Sequence, residues 1–405
     1  MPELSDIFYL GRAGRYSRPL NSNARLPVVY GDLTDGSNGV WELPCIDDDG
    51  GGMNPVYCFA AHEVLSAANG NSITIYEEGM ELNPALYTFD ESNDYESEGV
   101  IATITFTSPK ANAVITARGM GKPTASGGAT LMENIIDQVY DFLTVENAFA
   151  SSLFESTYKA KASQIFTAQG YSAAGVINED TVIWDIITEM MGAFLGSAYL
   201  DGSGELVLEI DDGSLKQYSM AAIVSRGDAN LVDAKQRLAN IINQCPANYA
   251  YNYAAGEFKS HDGGSTTADL VSQGVHGVRE PNTPCQHYWC RDQASIRTIQ
   301  GVVVEKFKNP LYEIEIQSFG QKLIHVDRGD VVVFSAEDLY GPAGEQLFNH
   351  YWRVLSVKHN DDKQGTINVR ALQTNYFMTV AHLADGTHIA DGRVLAGGER
   401  DLTIY

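Results

Sequence analysis

Five cysteines, Cys45, Cys58, Cys245, Cys285 and Cys290, carry the softest ligand chemistry in this chain, and two of them flank a histidine. The spacing Cys285-x-His287-x-x-Cys290, with Cys245 upstream, could offer thiolates and an imidazole to zinc or to an iron-sulfur centre. The close Cys-x-x-Cys pairs of a strong metal motif are absent, and an odd, scattered set of cysteines is no disulfide framework. The expectation is reduced thiols used as small buried hydrophobes in a sheet, with no cofactor. If a metal is bound, Cys245, Cys285 and Cys290 are the thiol cluster that would hold it.

Other chemistry lacks a carrier. Gly119-Met120-Gly121-Lys122 has the look of a phosphate loop, but Thr116 and Pro123 stand where a glycine and a Ser or Thr are needed. It reads as a turn at a domain boundary. Asp47-Asp48-Asp49 and Asp201-Gly202-Ser203-Gly204-Glu205 resemble calcium loops in composition alone, since the alternating oxygen ligands and the terminal Glu are missing. Arg328-Gly329-Asp330 falls where a strand begins. With no Gly-x-Ser-x-Gly elbow and no His-Glu-x-x-His helix, the chain is not expected to be an enzyme.

Binding groups are easier to find. Tyr249, Tyr251 and Tyr253 alternate, and an aromatic stripe at period two either packs a sheet or stacks sugars or bases. Between Gly11 and Arg25 stand four arginines, Arg12, Arg15, Arg18 and Arg25, and no acid. They are the expected partner-binding residues, an arm able to grip an acidic neighbour. The rest of the chain has the opposite sign: 27 basic against 52 acidic residues give a formal charge of -25, which opposes tight nucleic-acid binding because phosphate counterions must be displaced by cations.

The elements that must position these groups follow from pattern. At 405 residues, 44% hydrophobic and 20% charged, the chain can bury a core in each of several domains without staples. The longest apolar run, Ile186 to Leu200, is too short to span a bilayer and contains Glu189. No cleavable secretory signal is visible, so synthesis and assembly in a cytoplasm are expected. The fold class is α+β, predominantly β: a multidomain chain of β-barrel or β-sandwich modules with a smaller helical α/β region.

After the arm at 1–25, residues 26–122 read as a β domain, with Ile73 to Tyr76 and Ile101 to Phe106 alternating and Val114-Ile115 opening another strand. Residues 123–228 read as α/β. Thr130 and Glu133 form a capping box ahead of Leu131, Ile135, Val139 and Phe142, and Asp180 caps a second helix with the stripe Ile183, Ile186, Met190 and Phe194. Trp184 is placed in the core, Gly196 ends the helix, and a hairpin turns at Asp201 to Gly204. Residues 229–300 form a β-rich segment: Leu231 to Ile242 is a short helix running into a strand, and Phe258 to Thr283 is a long polar loop. Residues 301–380 form a β-barrel, with Leu311, Ile314 and Ile316, then Val331 and Val333, then Trp352 and Val354, then Ile367, Val369 and Ala371 each giving a buried face. Gly329 and Gly365 mark tight turns. Residues 381–405 are a C-terminal extension of hairpins.

The run Asp292-Gln293-Ala294-Ser295-Ile296, then Gly301, the step Gly329-Asp330-Val331-Val332 and the strand Tyr351-Trp352-Arg353-Val354 together resemble the barrel of tailed-bacteriophage baseplate hub proteins. The β unit beginning Leu26-Pro27-Val28-Val29-Tyr30-Gly31 extends the resemblance, as does the order of helix, hairpin and Asp201 turn. The resemblance implies a structural virion protein at the tail tip. It would form a ring, a homotrimer, closing the distal end of the tail tube. That ring would join the tube or distal tail protein to a central fibre or spike and surround the tape-measure terminus, and DNA would pass through without tight binding. Iron-sulfur centres occur in some tail-tip proteins, and the cysteine spacing here departs from theirs. The segment from Gly301 to Gly329 is also shorter than the helix-containing connection of that family. The alternative is a surface carbohydrate- or receptor-binding module of a phage tail, in keeping with 21 tyrosines and polar sheets.

Overall fold

The computed structural model describes residues 26–34, 41–43, 54–65, 73–95, 99–108, 110, 113–178, 182–201, 203–211, 220–225, 229–236, 241–319, 323, 326, 328–335, 350–359, 366–377, 380–383, 388–390 and 402–404. The arginine arm, Asp47 to Asp49, Asp180 and Gly365 lie outside them. The fold is α+β and predominantly β, built from several separate sheets and five α-helices among the described residues. The helices are α1 (Ile135–Asp141), α2 (Ser156–Ala168), α3 (Ile183–Gly192), α4 (Leu270–His276) and α5 (Gln293–Phe307). No described helix is long and apolar enough to cross a membrane. The chain divides into two compact units: the first holds 1–212, 245–267 and 281–301, and the second holds 213–244, 268–280 and 302–405.

In the first unit, a three-stranded antiparallel sheet orders Val56–Ala60, Gly99–Phe106 and Tyr87–Tyr95, and a four-stranded sheet orders Trp41–Glu42, Ile115–Arg118, Thr74–Glu77 and Met80–Glu81. Both send side chains into one core around Phe59, Ile75, Ile104, Phe106 and Ile115. Each of these burials stabilises by roughly 1.5–3 kcal/mol, which is why the alternating runs were legible as strands. Helix α1 starts later than the expected capping box: Asn134 caps it, its Oδ1 accepting from the Ile136 amide at 3.0 Å. Thr130 instead closes a turn by accepting from the Thr124 amide.

Helix α3 buries Ile183, Ile186, Ile187, Met190 and Met191 on one face, the expected stripe. It stops at Gly192, before Gly196, and Trp184 is half-buried rather than fully in the core. The expected hairpin follows, Gly196–Leu200 with Leu206–Ile210. Its turn is held by Asp201, whose Oδ1 accepts from Ser203 and from the Glu205 amide at 2.9 Å.

In the second unit, a six-stranded sheet has the order Met220–Ser225, Val331–Ser335, His350–His359, Thr366–Phe377, Tyr312–Phe319, Ala229–Gln236. The first pair is parallel and the rest antiparallel. This sheet stands where a barrel was expected and is open: Met220–Ser225 and Ala229–Gln236 take opposite edges and do not pair with each other. The residues of the expected alternation do meet, since Val332 faces Trp352, Ile316 faces Val369 and Ile314 faces Ala371. They form one buried cluster. Gly329 precedes Val331 with φ +93°, and its amide donates to the Val354 carbonyl at 2.9 Å.

Three further stretches differ from expectation. Ala229–Gln236 is a strand and not a helix. The expected polar loop after Phe258 is the strand Glu257–Asp262, a 3-10 turn at Ser265–Thr267 and helix α4. The residues from Gln293 are helix α5 rather than the start of a barrel, nucleated by Asp292, whose Oδ1 accepts from the Ser295 amide at 2.8 Å.

Candidate functional site

Lys122, the lysine of the failed phosphate loop, is committed elsewhere. Its Nζ lies 2.7 Å from Asp141 Oδ2 and 2.8 Å from Glu146 Oε1, and the Tyr30 hydroxyl donates to the same Asp141 oxygen at 2.7 Å. Burial, and after it the Asp141 charge, push the Tyr30 hydroxyl well above its ordinary pKa. This is a structural ion cluster with both carboxylates inside the first unit.

The structure divides the thiol set. Cys245 and Cys285 face each other with Sγ atoms 3.6 Å apart, at the start of neighbouring parallel strands. A hydrogen bond with Cys245, and then one with His287, lower the Cys285 pKa, while the same bond and burial raise that of Cys245. His287 is buried, and its Nδ1 is 2.7 Å from the Ala193 carbonyl oxygen, a donor's distance that fixes the ring. Cys290 points instead toward the Asp292 carbonyl oxygen, 3.6 Å away, and burial pushes its thiol up to about 12. The described residues hold no group of three or more Cys, His, Asp or Glu arranged to take a metal. The three cysteines are therefore a pair and an outlier.

A cavity that could take a ligand is in the same unit, a cleft of about 260 Å³. The strand Gly175–Ile177 forms one side and helix α3 another. The end of the hairpin Ala247–Asn252 with Glu257–Asp262, together with the Tyr288-Trp289 pair, forms the rest. The polar and aromatic lining is Asn178, Glu189, Tyr251, Tyr253, Tyr288 and Trp289. Glu189 is exposed on α3, one turn after Ile186, and both line the cleft.

Trp289 anchors the cleft. Its Nε1 donates to Glu189 Oε1 at 2.9 Å, and its ring lies so close on Gly175 that a Cβ there would come within 2.6 Å of it. Tyr251 stands edge-on to Tyr253 at 5.2 Å and 90°, and to Tyr288 at 4.8 Å and 70°. Arg291 Nη1 donates to the Tyr251 carbonyl at 3.1 Å, holding the turn to the floor of the site.

The Tyr253 hydroxyl is buried and makes no hydrogen bond of good geometry. Burial and then the Glu189 charge raise its pKa, with the nearby Val176 backbone opposing. Tyr288 is raised by the same two causes in the same order. The Glu189 charge thus acts on both tyrosines, and at Tyr253 the Arg291 charge opposes it.

Of the three alternating tyrosines, Tyr251 and Tyr253 reach this cleft and Tyr249 is buried. Tyr288, Trp289 and Glu189 were not singled out from the sequence. The adjacent aromatics between His287 and Cys290 were the available signal, masked by reading that stretch for metal ligands alone.

The fold and cleft define a predominantly β, multidomain α+β chain with an aromatic, acidic pocket. No protein-family model matches the sequence, and no curated protein matches it. Among solved structures, it is similar to the tail protein from Neisseria meningitidis MC58 at 9% identity and a TM-score of 0.33, over 86% of this chain and 96% of that one. A TM-score of this size does not establish a common fold.

Proposed function

We propose that this chain is a structural protein of a phage tail, a baseplate hub that assembles as a ring of identical copies. What supports the reading is that the stretches quoted for the hub resemblance in the C-terminal half, Gly329 to Val332 and Tyr351 to Val354, are hydrogen-bonded neighbours in one sheet of the second unit. In that arrangement the ring closes the distal end of the tail tube between the distal tail protein and a central spike or fibre. No catalytic step is assigned to it.

Helix α4 supports assembly with a second copy. It is built inside out: Ser272 is its buried residue, donating to the Lys308 carbonyl at 2.6 Å, while Leu270, Val271 and Val275 are 77%, 80% and 74% exposed. Asp269, which caps the helix and meets Lys308 Nζ at 3.2 Å, fixes that orientation. Val278 prolongs the exposed strip. Four large apolar side chains exposed within nine residues are the kind of surface that marks a protein contact.

Sedimentation velocity on the full chain tests the reading. A closed oligomer is expected, and the double substitution Val271→Ser with Val275→Ser is expected to weaken it by about 3 kcal/mol, roughly a hundredfold per contact. A native chain that stays monomeric at every concentration would sink the hub assignment. An oligomer that the double variant leaves intact would move the interface away from α4. Of the second reading, a carbohydrate- or receptor-binding module, the aromatic cleft of the first unit favours the receptor-binding form.

A further inference from the structure

We propose that the cleft lined by Tyr251, Tyr253, Tyr288, Trp289 and Glu189 is a binding site for an organic ammonium group, a quaternary or alkylated amine. The inference rests on this cleft alone and stands or falls apart from the assembly of the second unit.

Three observations select that chemistry. Four aromatic side chains line the cleft at large mutual angles: Tyr251 is perpendicular to Tyr253 and 70° from Tyr288, so the rings form no single flat platform, and the buried Trp289 backs them against Gly175. An alkylated cation is attracted to ring faces from several sides at once, whereas a flat ligand needs one open platform. Secondly, among the described residues the lining includes the carboxylate of Glu189 and no lysine, arginine or histidine. The nearby Arg291 is turned to the Tyr251 carbonyl. An anionic ligand would meet repulsion here, and a neutral one could gain a hydrogen bond from the carboxylate but not the Coulombic attraction a cation feels.

Thirdly, the polar groups are too few and too occupied for a sugar, which presents hydroxyls in several directions. Glu189 Oε1 accepts from Trp289, and the Tyr288 hydroxyl donates to Gln286 Oε1 at 2.9 Å. The Tyr253 hydroxyl is buried beside the Val176 backbone and has no side-chain hydrogen-bond partner among the described residues, so it adds little to the acceptors a sugar would need. At about 260 Å³ the space lies just below the usual range for drug-sized ligands and suits a head group rather than a chain.

Titration calorimetry on the full chain tests the assignment, with choline as probe and 3,3-dimethylbutan-1-ol, its neutral isostere, as control. Choline is expected to bind at least about tenfold more tightly than the isostere, the discrimination that a desolvated cation–π contact supplies. Glu189→Gln keeps an oxygen for the Trp289 N–H and removes the charge. It is expected to weaken choline by about tenfold, the scale of one charge-assisted contact, and to leave the isostere unchanged.

Because the two probes are compared on the unaltered protein, a variant that misfolds does not remove the test. Equal binding of both probes, or no choline binding at millimolar concentration, would overturn the proposal. Glucose binding more tightly than choline would also overturn it and make the cleft a saccharide site.

Discussion

Lys122 illustrates what a single residue hides. In sequence it ends a glycine-rich tetrapeptide that reads as a turn at a domain boundary. In the structure that stretch is extended inside the first unit, Met120 bridging Asp32 and the Gly121 and Lys122 amides donating to the Gly31 and Val29 carbonyls. Asp141 and Glu146 lie 19 and 24 positions away and meet Lys122 only because α1 and its π-helical extension pack back onto this extended stretch. The side chains of Lys122, Asp141 and Glu146 are 14%, 11% and 1% exposed, so removing the cation leaves two carboxylates in a poorly solvated place. Lys122→Met should therefore cost about 3–5 kcal/mol, the penalty for breaking a buried ion cluster from one side. Urea unfolding measures it, and a loss below about 1 kcal/mol would put the cluster in the class of exposed pairs. The thiols show the same limit. Spacing singled out Cys245, Cys285 and Cys290 together, yet which two of them touch is decided by the pairing of parallel strands at Ala247 and Cys285, and spacing does not encode that pairing.

Elements were legible where burial enforces a period. The strands of the second unit's sheet carried their alternation openly, and Gly329 marked their turn. Its φ of +93° lies where a Cβ is strained, and a β-branched residue would also disturb the amide that bonds the Val354 carbonyl. Gly329→Val is expected to destabilise by about 1–3 kcal/mol, read as a lowered thermal midpoint. An unchanged midpoint would show that the turn adapts. Helix α5 was missed for a physical reason. Its run Val302-Val303-Val304 is β-branched and favours strand locally, while packing of Ile296, Ile299, Val303 and Val304 at helical spacing overrides that preference. The period was present, but propensity masked it. Helix α4 failed for the opposite reason: its apolar residues face solvent, so the segment gave no core-facing stripe and read as a polar loop.

At the scale of the whole molecule, charge and the apolar face of α4 make opposed demands on assembly. Copies each carrying a formal -25 repel one another, and the interleaving of chain segments within each unit has no local signature from which the placement of that charge could be read. Salt separates the candidate contacts. If α4 supplies the interface, raising ionic strength from about 10 mM to about 150 mM shortens the Debye length from about 30 Å to about 8 Å and screens the repulsion. The apolar contact is left intact, so the association constant should rise. If the arm with Arg12, Arg15, Arg18 and Arg25 grips an acidic neighbour, the same salt screens the attraction and the constant should fall. The expected outcome is a rise, measured by sedimentation across a salt series, with a chain lacking residues 1–25 following the same curve. A fall that disappears on truncation would transfer the interface to the arm, and the exposed strip from Leu270 to Val278 would then await a different partner.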